Sequence, residues 1–133
     1  MPKILVIGNI YFETQYFIDD VPTAKQVAIA SETTNHAGSK TINAARVMAS
    51  LGNGVSFVGR VGNDHLAELV LSDLQTKGID TTQIKKVPDY QTGQLVVQTN
   101  KDGNSSVTLF FGANKSFTNE DLDHFKSIIS DFD

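Results

Sequence analysis

The spacing of apolar and polar positions changes period several times along the chain, and each change marks an element. Lys3 to Ile7 is a continuous, β-branched-rich run stopped by Gly8. That is the pattern of a strand buried on both faces, placed centrally in a parallel sheet. From Thr14 to Thr34 two shorter alternating pieces, Thr14–Ile18 and Gln26–Thr33, flank a turn signal at Asp19, Asp20 and Pro22. Strands with one wetter face do not suit the middle of a parallel sheet, so these pieces predict a small second sheet projecting from the main body. A helical period follows Gly38, with Ile42, Ala45, Met48, Ala49 and Leu51 on one stripe and Gly52 at the left-handed cap position.

The second half repeats this alternation. Val55–Val58 predicts a strand and Gly59–Gly62 a turn at its end. Leu66, Leu69, Val70 and Leu74 then define a helix capped by Asp64 and closed by Gly78. Ile84–Val87 is a short strand, and Gly93–Thr99 with Ser105–Phe111 is a hairpin whose link holds Asp102-Gly103. Thr118 with Asp121 three positions on is a helix start, and Leu122, Phe125, Ile128 and Ile129 supply that helix's apolar side. Strand, excursion, helix, strand and helix in this order predict right-handed crossovers and a layered α/β fold. A final helix of this kind ordinarily feeds another parallel strand, so the chain is expected to be cut short.

Composition narrows the function classes. With 133 residues, 40% hydrophobic and 20% charged, the chain has the size and balance of one globular domain. Eleven basic against 15 acidic residues, a net charge of -4, argue against a protein that lives by neutralising nucleic-acid phosphates. The absence of cysteine excludes disulfides, thiolate metal sites and cysteine nucleophiles. The apolar run Ile4–Ile7 is too short for a signal-peptide core or a membrane span, and a cytoplasmic location is expected.

The candidate chemistry centres on His36 to Arg46, where small residues open into a helix. A helix start leaves about four N–H donors without helical partners and carries partial positive charge, so it suits a polar or anionic ligand. Lys40 and Asn43 lie in its first turn, and an amide inside a helix has poor propensity, so Asn43 faces either water or a ligand. Glu13 follows the first strand at the carboxyl edge, where ligands collect in open α/β sheets. A nucleotide-binding loop is not supported, since Ser39 and Thr34 occupy the places its two glycines require. His36, His65 and His124 show no metal-ligand spacing, and no Ser/His/Asp arrangement is evident.

Taken in order, these features resemble the ribokinase-like, or PfkB, carbohydrate kinases. The resemblance rests on Gly8 behind the first strand, Gly38–Asn43, Ala45 before Gly52, and Val58 to Asp64. It continues through Gly78-Ile79-Asp80, Thr92-Gly93 and Gly112-Ala113-Asn114. It implies a layered sheet with flanking helices plus a β lid over the sugar, formed here by about 14–34 and 93–111. Gly38, Ser39, Lys40 and Asn43 would touch the sugar, and Glu13 would fall where the family has a hydroxyl-gripping aspartate; a carboxylate accepts well from two hydroxyls. The chain departs from the family at Ser39, Thr41 and Tyr11, which bring bulk where glycine, a small residue and asparagine are common.

The resemblance covers only an N-terminal portion, because the family's Gly-Ala-Gly-Asp turn, with its catalytic aspartate and much of the ATP site, has no counterpart after Asn114. The expectation is therefore a truncated ribokinase-like domain over 1–133. Its full-length protein would phosphorylate a sugar hydroxyl with ATP and Mg²⁺, while this chain alone would bind neither and hold no catalytic residue. A homodimer through the lid, using Val27–Ile29 and Leu95–Val97, is expected as well. The competing expectations are a degenerate, non-catalytic sugar-binding or dimerising module, and an unrelated flavodoxin-like or nucleotide-binding domain whose two lid segments would not pair.

Overall fold

The computed structural model describes residues 1–133 and contains two sheets joined at the start of one helix. The main sheet is parallel throughout. β1 (Lys3–Ile7) lies beside the first half of β4 (Gly54–Gly62), Lys3 opposite Gly54 and Ile7 opposite Val58. The short β5 (Ile79–Asp80) pairs with Val55 and Ser56, and β6 (Ile84–Val87) with Gly59–Gly62. Against these strands pack α1 (Lys40–Ser50) and α2 (His65–Thr76). Ile42 and Ala45 of α1, Ala67, Val70 and Leu74 of α2, and Val55, Phe57 and Val61 of β4 make the core with Ile10, Ala37 and Ile79.

The second sheet runs β3-β2-β7-β8: β2 (Tyr11–Ile18), β3 (Glu32–Gly38), β7 (Gly93–Asn100) and β8 (Ser105–Phe110). β2 is antiparallel to β3 and parallel to β7, and β7 is antiparallel to β8. The two segments expected to form a projecting sheet therefore do pair, against the requirement of an unrelated flavodoxin-like domain. Tyr11 sits opposite Gly93, and Glu13 sits between His36 on one side and Leu95 on the other.

Local signals fall where the sequence places them. Ser39, Asp64 and Thr118 are N-caps whose side chains accept from Ile42, Ala67 and Asp121 N–H groups, and Thr118 with Asp121 completes a reciprocal capping box heading α3 (Asn119–Ile128). Gly52 takes φ +87° while its N–H donates to Ala49 and that of Asn53 to Met48, the double bond of a Schellman ending.

Non-local features differ from expectation. Within residues 1–133 β1 has β4 as its one strand partner, and on its other side Asp133 brackets Lys3, donating N–H to its carbonyl at 2.8 Å and accepting its N–H at 2.7 Å. Gln26–Thr33 is not a strand: regular pairing starts at Glu32 and runs to Gly38. Val27 and Ile29, 91% and 88% exposed, have no facing layer to reward extension. Gly38 is thus the last residue of a strand instead of part of a turn. Gly59–Gly62 continues β4, because β6 supplies a partner; a Cβ on Gly62 would lie 2.4 Å from the Tyr90 carbonyl oxygen. Leu51, Leu69, Leu122 and Ile129, each expected on an apolar stripe, face outward within residues 1–133, and the small Ala67 takes the buried position on α2 beside Val70 and Leu74.

Candidate functional site

The junction of the two sheets is fastened by groups that are local in neither sequence nor element. Asn114, in the 3-10 turn Gly112–Ser116, accepts the Ile10 N–H at 2.8 Å and donates to the carbonyls of Ile10 and Phe111, each at 2.8 Å. One amide thereby satisfies both backbone groups of the residue linking β1 to β2. The Asp64 carboxylate, besides capping α2, accepts Thr92 N–H at 2.8 Å and Thr92 O–H at 2.6 Å, and Thr92 in turn accepts the Gly62 N–H. Desolvation would raise the Asp64 pKa, but the Thr92 and Ala67 hydrogen bonds together outweigh it and hold the carboxyl below its ordinary value. Asp73 of α2 joins the Ala37 N–H of β3 to Arg46 of α1, at 2.8 and 2.6 Å.

Above this junction lies a cleft of about 560 Å³. Its floor is the helix start, Ser39, Lys40 and Thr41, together with Gly8 and Asn9 behind β1; its wall is the sheet face carrying Tyr11, Leu95, Val107, Leu109 and Phe111. Ser39 Oγ accepts the Ile42 N–H and lies 2.9 Å from Thr41 Oγ1, so the two hydroxyls that set this chain apart at the helix start pair with each other. Thr41 also fills the space over Gly8, where an added Cβ would stand 2.2 Å from its hydroxyl oxygen. The amides of Lys40 and Thr41 remain as free donors of the helix start, with the Lys40 ammonium the one cation at the cleft.

The five residues expected to touch a ligand are split. Ser39 and Lys40 line the cleft. Glu13 shares the sheet face of Leu95, its opposite number, and lies under Gly38, where a Cβ would come 2.0 Å from Glu13 Oε2; the His36 ring is 3.7 Å from its carboxylate. Gly38 therefore admits Glu13 to the site's margin. Asn43 points to the exposed side of α1's first turn. Sequence reasoning missed the wall: Val107, Leu109 and Phe111 recur at every second position, a signal that was present, whereas the approach of Tyr11 to Phe111 could not be read from spacing.

One lysine faces apolar walls, and no cluster of three or more histidines and carboxylates is placed to hold an ion. Arg60, a residue the sequence reading passed over, is buried in an ion pair with Asp121 and lies 4.8 Å from the centre of the Phe117 ring, so its charge is committed to fastening α3.

A parallel α/β layer, a second four-stranded sheet and a cleft between them define a ribokinase-like fold. The chain belongs to the pfkB family of carbohydrate kinases, whose family model matches residues 1–133. It is 27% identical to the ribokinase of Staphylococcus aureus over 98% of this chain and 43% of that protein. It is 28% identical to the bifunctional ribokinase/ribose-5-phosphate isomerase A of Fructilactobacillus sanfranciscensis, over the whole chain and 25% of that protein. Among solved structures, Arabidopsis thaliana ribokinase complexed with ribose and ATP superposes with a TM-score of 0.75 at 28% identity, covering 92% of this chain and 41% of that one. The chain thus spans less than half the length of these relatives.

Proposed function

We propose that this chain is the sugar-binding and lid portion of a ribokinase-type sugar kinase, whose full-length protein transfers a phosphoryl group from ATP, with Mg²⁺, to a sugar hydroxyl. The observation that carries this reading is the cleft between the start of α1 and the inner face of the projecting sheet, in a chain matched throughout by a carbohydrate kinase family. Ser39, Lys40 and the free helix-start amides supply hydrogen bonds from the floor. Glu13, beside Gly38, supplies a carboxylate acceptor at the margin, while Asn43, on the exposed side of α1, lies outside the cleft. The apolar wall excludes water from the bound sugar, so the share of catalysis belonging to these residues is binding and orientation. ATP, Mg²⁺ and the catalytic base belong to residues outside 1–133.

The test is turnover of a sugar panel by the full-length protein with ATP, compared with Glu13→Ala and Lys40→Ala. Activity is expected on at least one pentose and a loss in the variants; unchanged activity in both refutes the site. A second reading, a non-catalytic sugar-binding or dimerising module, is favoured by the apolar groups left uncovered outside the cleft, Val27 at 91% and Ile29 at 88% exposure. In either reading the lid joins two copies of the chain, and a monomer in dilute sedimentation counts against that. Sugar binding without turnover separates the module from the kinase.

A further inference from the structure

The two carboxylate oxygens of Glu13 have different neighbours. Oε2 lies over Gly38, where an added Cβ would stand 2.0 Å from it, and Gly38 leads directly into the cleft-lining Ser39. Oε1 is 3.7 Å from Nε2 of His36, the residue opposite Glu13 on β3. The other ring nitrogen, Nδ1, is 2.9 Å from the Ala37 carbonyl oxygen, which can only accept, so Nδ1 carries a hydrogen. A neutral ring with its hydrogen there turns a lone pair at Nε2 toward the carboxylate, and only the imidazolium turns an N–H toward it. Glu13 is the one charged group within ion-pair distance of the ring. On the helices packed against β3, Asp73 and Arg46 hold each other, Glu68 is paired with Lys86, His65 lies beside Asp64, and Lys40 lines the cleft; Glu32 is at the far end of β3.

Resting on the reading of Glu13 as an acceptor at the margin of a sugar site, we infer that His36 is a positioning residue that sets the Glu13 carboxylate through its own protonation. The imidazolium engages Oε1 and leaves Oε2, the oxygen over Gly38, as the acceptor presented to the ligand. Rotation that would exchange the two oxygens is restrained before the ligand arrives, so less ordering is left for binding to offset. Loss of the proton sets a lone pair against an anion, and the carboxylate is released. Imidazole ordinarily changes charge between about pH 5 and 8, so ligand binding strengthens as pH falls through that range. The His36 side chain is 32% exposed and that of Glu13 15%, which keeps the effect to a few-fold.

The experiment is isothermal titration of the full-length protein with ribose between about pH 8 and about pH 6, the range in which imidazole titrates. It is repeated on His36→Gln, which keeps an N–H donor at every pH, on His36→Ala, which keeps none, and on Glu13→Gln with and without His36→Ala. Thermal unfolding checks that each variant is folded. The unaltered protein is expected to bind about threefold more tightly at the lower pH, the scale of a partly exposed ion pair. Both His36 variants should give flat profiles, His36→Gln near the acid affinity of the unaltered protein and His36→Ala near its alkaline affinity. In the Glu13→Gln background His36→Ala should change nothing further. A merely structural role for His36 shifts affinity equally at every pH, so a flat profile in the unaltered protein, or the same slope in His36→Ala, overturns the inference. If the unaltered protein binds no ribose, or Glu13→Gln binds it as well as the unaltered protein does, the reading of Glu13 falls and this inference with it. If Glu13→Gln weakens binding while the His36 slopes stay parallel, the inference alone falls.

Discussion

Replacing Asn114 by alanine removes three hydrogen bonds at one stroke and leaves the N–H and C=O of Ile10, a residue with no exposed surface, without partners. Each buried backbone group stranded in this way costs about 1–3 kcal/mol. Two of them, with the Phe111 carbonyl less affected because Phe111 is exposed, set the expected loss at about 3 kcal/mol once water entering the space is allowed for. That is a large part of the roughly 5–15 kcal/mol by which a domain is stable. Asn114→Asp is the sharper variant, since it keeps the shape and the acceptor for Ile10 N–H but turns a carboxylate oxygen toward two carbonyls. Burial and those carbonyls favour the protonated acid in the folded state, so its folded pKa lies above the unfolded one. By linkage the variant is least stable at neutral pH, and part of its deficit relative to the unaltered protein returns as pH falls toward 5. Urea unfolding followed by circular dichroism measures all three proteins, with exposed Asn104→Ala as the control, expected within about 0.5 kcal/mol of the parent. An Asn114→Ala loss no larger than that control, or an Asp variant milder than alanine at pH 7, would refute the reasoning.

Three further outcomes follow from the same physics. Arg60→Ala leaves the Asp121 carboxylate without its cationic partner and is expected to cost about 3 kcal/mol in urea unfolding, against a negligible effect for Lys101→Ala on the hairpin. Asp64, Asp80 and Asp121 are all held below the ordinary carboxyl value, desolvation being outweighed by hydrogen bonds from Thr92, Thr82, Thr118 and Arg60 among others. Their contribution is complete above the unfolded value of ~4 and is lost as pH falls through the folded values, so an acid titration should show unfolding below pH ~4 that is shallower in Asp64→Asn. Gly8→Ala meets the Thr41 side chain and is expected to lose about 1–3 kcal/mol, and Thr41→Gly in the same chain should recover part of it; simple additivity of the two changes would show that the contact is not the cause.

The site was half legible. Ser39 and Lys40 were found because a helix start announces itself within a few residues, and Glu13 because it follows a strand that ends at a glycine. Tyr11 drew notice only as a departure, since its value depends on Gly93, Phe111 and Asn9 arriving together. Arg60 looked like one polar residue in a glycine-rich turn; what gives it meaning is Asp121, sixty-one positions later, and a strand that continues through those glycines.

Elements whose energy is local could be read directly from the chain. The caps Asp64 and Thr118, the endings at Gly52 and Gly78 and the hairpin at Asp102-Gly103 all depend on groups within one or two turns of each other, so composition and spacing suffice. Where β4 stopped, which apolar faces were covered and what walled the cleft depended on partners dozens of residues away. Gln26–Thr33 looks like a strand but pairs regularly only from Glu32, and Leu69 looks like core but is 41% exposed. A run of residues records its readiness to be buried. Only the folded arrangement decides whether another surface arrives to bury it, and at Tyr11, Leu95 and the start of α1 that arrival is what makes a cleft.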